Sequence, residues 1–241
     1  MAEKNLLLWL EAPLQSWGFD SKFGRRDTLD FPTRSGILGL LCCAMGKGGP
    51  QTEWLAKMAA YPQSVMAFRN MRCFKNGQYA PLPAQPRLRD FHMVGSGYDS
   101  NDIWQNLLIP KTSEGKKAVG GGTKLTYRYY LQDMAFAVLL PCPADEAAHI
   151  AQSLQEPVWD LYLGRKCCVP TDIIYRGIFQ TNAEAKNAAI ALAHEKHRQH
   201  TFSVYEGEHE GEIITLNDVP TAFGVHKKYR DRQVTIIPAS A

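Results

Sequence analysis

Apolar positions along the chain fall into two periods. Residues 5–11 (NLLLWLE) form a short, continuously apolar run stopped by Pro13, which predicts a buried strand. Between residues 37 and 45 the apolar side chains Ile37, Leu38, Leu40, Leu41, Ala44 and Met45 recur at helical spacing. Pro32-Thr33-Arg34-Ser35-Gly36 opens that helix with Thr33 or Ser35 as its N-cap, and Gly46 with Gly48-Gly49 closes it. Further helices are predicted at 53–60, 145–154 and 183–197. Further strands are predicted at 64–74, 87–94, 123–131, 134–140, 201–205, 212–216 and 233–237. Residues 15–31 read as a loop rich in glycine and charge. Residues 95–122 show no period at all, which predicts a long projecting loop; a loop of that length is usually functional.

The order of these elements is strand, helix, strand, a strand pair bearing the loop, strand, helix. It predicts an α+β fold with a ferredoxin-like core, a long projecting loop at about 95–122, and a smaller β-rich region behind it. The division expected is a core domain over 1–155 and an α/β extension over 156–241 packed on it.

Composition adds limits. The chain has 241 residues, 45% hydrophobic and 21% charged, which is enough apolar material for an ordinary core and unlike a disordered chain. Residues 1–13 lack the pattern of a signal peptide and no stretch approaches a membrane span, so a cytoplasmic protein with no membrane partner is expected. Six cysteines without a Cys-x-x-Cys motif read as reduced thiols. His194, His197 and His200 recur every third residue, and no carboxylate or cysteine pattern completes a metal site around them. Gly46-Lys47-Gly48-Gly49 and Gly120-Gly121-Gly122-Thr123-Lys124 lack the phosphate-loop spacing. Neither a metal nor a cofactor is therefore expected.

Net charge is only +3, yet it is unevenly spread: seven Lys or Arg against four Asp or Glu between Arg87 and Arg128, and four against one between Lys227 and Arg232. Local basic segments of this kind suit a nucleic-acid track or a solvated face. Near the first helix, Arg34 stands at the start with Arg25 and Arg26 upstream and Trp17 close by. A helix N-terminus favours phosphate, and Trp17 would offer a stacking face. The same residues also describe a capped core helix with a packed Trp and solvated arginines. In the strand at 123–131, alternation places Lys124, Thr126, Arg128 and Tyr130 on one face and Leu125, Tyr127 and Tyr129 on the other. One face would meet phosphate while the other packs. Gly164 would let a ligand approach its backbone beside Arg165 and Lys166.

EAPLQSWG followed by FPTRSGILGLL closely resembles the N-terminal signature of the CasD branch of the CRISPR-associated Cas five family, from type I-E systems. Leu88-Arg89-Asp90-Phe91-His92 and Tyr162-Leu163-Gly164-Arg165-Lys166-Cys167 are similar to two further family segments, in the same order, so the likeness spans roughly residues 5 to 180. The resemblance implies a non-catalytic RNA-binding subunit of a Cascade complex in antiviral defence. Such a subunit holds the 5′ handle of the crRNA, caps the filament of backbone subunits, contacts the large subunit and works near the target DNA. Carried onto this chain, the handle-binding candidates are Gln15, Trp17, Gly18, Arg25, Arg26, Thr33, Arg34, Ser35, Arg89, His92, Gly164, Arg165 and Lys166. The resemblance also implies that the ferredoxin-like core is of the RRM and RAMP type and that the loop at about 95–122 is a projecting thumb, which would press on the guide backbone. The alternatives are a metal-independent endoribonuclease acting on repeat RNA, for which His92, Lys124 and nearby tyrosines supply the residue types, and an interaction module without RNA contact.

Overall fold

A computed structural model of the chain describes residues 3–19, 21, 24–94, 99, 101–108, 111–112, 114–116 and 124–239. The elements are β1 (Glu3–Glu11), β2 (Leu14–Gln15), β3 (Trp17–Phe19), β4 (Arg25–Leu29), α1 (Arg34–Ala44), α2 (Thr52–Ala59), β5 (Ser64–Cys73), β6 (Tyr79–Pro81), β7 (Leu88–Val94), α3 (Ile103–Leu108), β8 (Lys124–Gln132), β9 (Ala135–Pro143), α4 (Ala144–Gln155), β10 (Tyr175–Phe179), α5 (Asn182–Glu195), β11 (Arg198–Glu206), β12 (Glu212–Ala222) and β13 (Lys228–Pro238).

The main sheet runs β10-β1-β9-β5-β11-β13-β12, with β6 hydrogen-bonded to β5. Its central strands are apolar throughout because both faces are covered. Leu6, Leu8 and Leu10 of β1 join Phe136, Val138 and Leu140 of β9 under α1 and α4, where Ile37, Leu41 and Ile150 meet them. The intervening Leu7 and Trp9 join Ala135, Ala137, Met66 and Phe68 under α5. There the helix presents Ala185, Ala189 and Ala193, side chains small enough for it to sit close on the sheet. Each fully buried leucine is worth about 1.5–3 kcal/mol, so this double-faced core carries most of the stability. Strands from either side of residue 155 share the sheet, since β10 pairs with β1 and β11 with β5.

A smaller sheet, β2-β8-β4-β3 with β7 on β8, leans over the N-terminal end of α1. Strands β7 and β8 pair antiparallel from Leu88↔Tyr130 to Val94↔Lys124. They are the base of the expected thumb, half of whose 95–122 span lies outside the described residues.

Several expectations need correction. The stretch at 15–31 is not a simple loop: it supplies β2, β3 and β4, with Trp17↔Leu29 and Gly18↔Thr28 in register. Its glycine and charge content hid short strands that are partly exposed to solvent. The aperiodic 95–122 stretch contains a short helix, α3, and β6 and β10 were not foreseen. The helix at 183–197 ends at Glu195, and His197 adopts a left-handed φ of 51°. His194, His197 and His200 therefore share no helix face: His197 stacks on Tyr79 and His200 lies on β11. All six cysteines are free, and among the described residues no helix is long and apolar enough to cross a membrane.

Candidate nucleic-acid interface

Three segments far apart in sequence converge at the start of α1. They are residues 16–18 on β3 and its approach, residues 26–36 through the helix cap, and residues 164–165. Together with the loop after α1 and the β12–β13 turn they enclose an open groove of about 690 Å³. Among the described residues four cations line it, namely Arg26, Lys47, Arg165 and Lys227, and no carboxylate does. Trp159, Phe223 and Tyr229 add aromatic surface. A basic groove concentrates anions, and exposed ring faces beside it accept unpaired bases.

Of the residues expected from the sequence, Trp17, Gly18, Arg26, Thr33, Ser35, Gly164 and Arg165 line this groove. Thr33 is the helix N-cap: its Oγ1 accepts from the Gly36 amide at 3.1 Å. Gly164 has a clear physical reason. Its φ is +101°, and an added Cβ would lie 1.8 Å from the Ser16 carbonyl oxygen, so only glycine brings this loop against β3. Arg165 then ties the region together. It donates to the carbonyls of Tyr129 (3.1 Å) and Arg26 (2.8 Å) and lies 4.6 Å over the Tyr130 ring.

Arg34 is the main correction. It does not stand at the helix mouth: its side chain is 0% exposed and points into the protein. Nη1 meets Glu206 at 2.6 Å, and Nη2 donates to the carbonyls of Met58 (2.8 Å) and Tyr61. Its amide donates to Asp218 at 2.7 Å, and Asp218 also binds Arg232. A carboxylate of the protein thus occupies the anion position at the start of α1. Burial pulls the Arg34 guanidinium below its usual range, while Glu206 opposes that shift. Trp17 is likewise 1% exposed, packed on the first turn of α1 beside Gly36, and offers no free stacking face. Gln15 is fully buried, donating to the carbonyls of Leu10 and Met134 and accepting from the Trp17 indole. These three residues build the groove wall from behind.

The remaining candidates sit on the small sheet or beside it. Arg25 is exposed, paired with Asp27 and 4.9 Å from the Tyr129 ring. Arg89 lies 5.6 Å over Tyr127. His92 contacts Asp90 on the same strand. Lys166 is exposed beside the groove loop, and Arg128 is half-buried opposite Asp90. Lys124 opens β8, paired with Val94.

Alternation along β8 has the expected period and the opposite facing. Thr126 and Tyr130 are buried, at 7% and 2% exposure, whereas Leu125 and Tyr127 are 49% and 44% exposed. The face expected to pack therefore looks outward, with Phe91 tilted against Tyr127 at 5.4 Å.

Sequence reasoning missed Lys47, Trp159, Phe223, Lys227 and Tyr229. The only signals were the basic run at 227–232 and the glycine cluster after α1.

The comparisons with known proteins assign the class: a CRISPR-associated protein. The sequence profile of the family described as CRISPR-associated protein (Cas_Cas5) matches residues 5–235, and the chain belongs to that family. It is 28% identical over 184 residues to the CRISPR system Cascade subunit CasD of Escherichia coli (strain K12), covering 75% of this chain and 74% of that one. A solved chain of a CRISPR RNA-guided surveillance complex superposes with a TM-score of 0.68 at 29% identity, over 97% of this chain and 89% of that one. A second, from a structure described as a Cas protein, gives 0.58 at 23% identity over 97% and 94%, a likeness of fold.

Proposed function

We propose that this chain is a non-catalytic subunit of a Cascade-type CRISPR complex and holds the 5′ handle of the crRNA in the groove at the start of α1. The observation that carries this reading is the groove itself, whose described lining has four cations, no carboxylate and exposed rings, at the place where the signature segments meet. The relatives' names, a Cascade subunit and an RNA-guided surveillance complex, point the same way. The strand order β10-β1-β9-β5, with α1 and α4 in the two crossovers, supports a ferredoxin-like core of the kind that handles RNA. The β7–β8 hairpin is the base of the thumb, and its outward aromatic face suits a contact with the guide or with a neighbouring subunit. By the same family logic the chain caps the backbone filament, touches the large subunit and lies near the target DNA.

The endoribonuclease alternative finds no support in the hairpin. Alternation puts Tyr127 and Tyr129 on the face opposite His92, and the Tyr130 hydroxyl is turned toward Cys167 at 3.5 Å.

The test is binding of the full-length chain to single-stranded repeat RNA across a salt series. Each phosphate contact contributes a slope of about −0.7 in log K against log salt. Arg26→Ala is expected to reduce the slope by about that amount. Binding that does not respond to salt, or cleavage of the RNA at one site in EDTA, would overturn the reading.

A further inference from the structure

The groove has a second wall that the signature segments do not supply. The β12–β13 hairpin pairs Pro220 with Tyr229 and Ala222 with Lys228, so its turn spans residues 223–227. Alternation then sorts the basic run at 227–232. Lys227 and Tyr229 face the groove, whereas Arg232 turns inward to Asp218. Arg230 borders a separate hollow against α2. The loop after α1 is held between this hairpin and the segment behind α4. The Phe223 amide donates to the Pro50 carbonyl at 2.8 Å, and the Val158 amide donates to the Ala44 carbonyl at 2.9 Å. Gly224 comes so close that a Cβ there would sit 3.3 Å from the Gly49 backbone, which seals the two segments into one surface. Along that surface stand Lys47, Trp159, Phe223, Lys227 and Tyr229. Trp159 and Tyr229 are 49% and 38% exposed, so both rings are accessible. The backbone amides of Gly48 and Gly49 have no protein acceptor among the described residues.

We propose that the hairpin tip and the loop after α1 grip the single-stranded RNA from the side opposite Arg26. Lys47 and Lys227 take backbone phosphates, and Tyr229 offers its ring to an unpaired base. This inference rests on the RNA-binding reading above and extends it to a part of the chain with no recognisable signature. Lysine on phosphate is insensitive to sequence, and so is a ring under a base; this wall adds affinity and fixes the path of the strand.

The test uses the full-length chain, fluorescent single-stranded repeat RNA and a salt series. Lys47→Ala with Lys227→Ala is expected to lower the salt slope by about 1.4, two contacts at about 0.7 each. Tyr229→Ala is expected to weaken binding about tenfold with the slope unchanged, and Tyr229→Phe to stay near the parent. Arg230→Ala, on the other side of the hairpin, is the control and should alter neither quantity. If the lysine and tyrosine variants match the parent while Arg26→Ala still lowers the slope, the second wall is wrong and the RNA groove stands. If the parent chain shows no salt-dependent binding, the groove reading itself fails.

Discussion

Two groups of arginines lie within one small region and meet opposite fates. Arg34 and Arg232 are buried and share Glu206, with Asp218 bridging the Arg34 amide and the Arg232 guanidinium. Arg25, Arg26, Arg89 and Arg165 sit at the surface, held by ring faces, by carbonyls and, for Arg25, by one carboxylate. The first group consumes its charge inside the protein. It ties the start of α1 to β11, β12 and β13 and leaves nothing for a ligand. The second group is positioned through contacts that leave much of its charge unneutralised. A guanidinium oriented by a carbonyl or a ring remains attractive to phosphate, whereas one paired with a buried carboxylate does not. Local cation density is therefore a poor guide to a binding surface unless the carboxylates are also placed.

Substitutions can break or sharpen this contrast. The largest effect is expected at Arg34. Arg34→Ala leaves Glu206 and two carbonyls without their donor and opens a cavity, and should cost about 3–5 kcal/mol in chemical denaturation. Any loss of RNA binding should then follow loss of fold. Gly164→Ala should cost about 3 kcal/mol, because its Cβ collides with the Ser16 carbonyl, and should shift the groove wall. Arg165→Ala is intermediate, about 2 kcal/mol, since it releases two carbonyl contacts and one ring.

A smaller effect is read through pH. Burial would raise the Glu11 carboxyl, but the Trp9 indole, Arg198 and Lys196 together hold it below the ordinary range. A depressed carboxylate contributes stability that is present above its unfolded pKa and is lost as pH falls through the folded one. Glu11→Gln should therefore flatten the acid limb of the stability curve, measured by urea midpoints between neutral and acid pH. The smallest stability change belongs to the surface group. Arg25→Ala and Arg26→Ala should alter stability by no more than about 0.5 kcal/mol, while Arg26→Ala measurably weakens RNA binding. An Arg34 variant that stays stable and loses only RNA affinity would reverse the comparison.

The double-faced core was legible because burial on both sides leaves an uninterrupted apolar run, as in β1 and β9. The short strands of the smaller sheet were not. Gly18, Arg25 and Arg26 look like loop residues, and their strand character depends on partners: β4 for Gly18, and β8, about a hundred residues on, for Arg25 and Arg26. The inward turn of Arg34 was invisible for a similar reason: Glu206 lies 172 residues away and Asp218 lies 184 away. On β8 the period was readable, but the choice of face depended on what Thr126 and Tyr130 would pack against. The signature segments located one wall of the groove. The opposite wall comes from residues that look ordinary in sequence and acquire meaning through their place beside the cleft.

The most direct measurement is photocrosslinking of the full-length chain to single-stranded repeat RNA, with peptides identified by mass spectrometry. Crosslinks are predicted on peptides that line the groove, at Trp159, Phe223 and Tyr229 and on the stretch containing Arg26. Crosslinks confined to the α5 face or to the β5–β6 hairpin, with the groove peptides unmodified, would contradict the account.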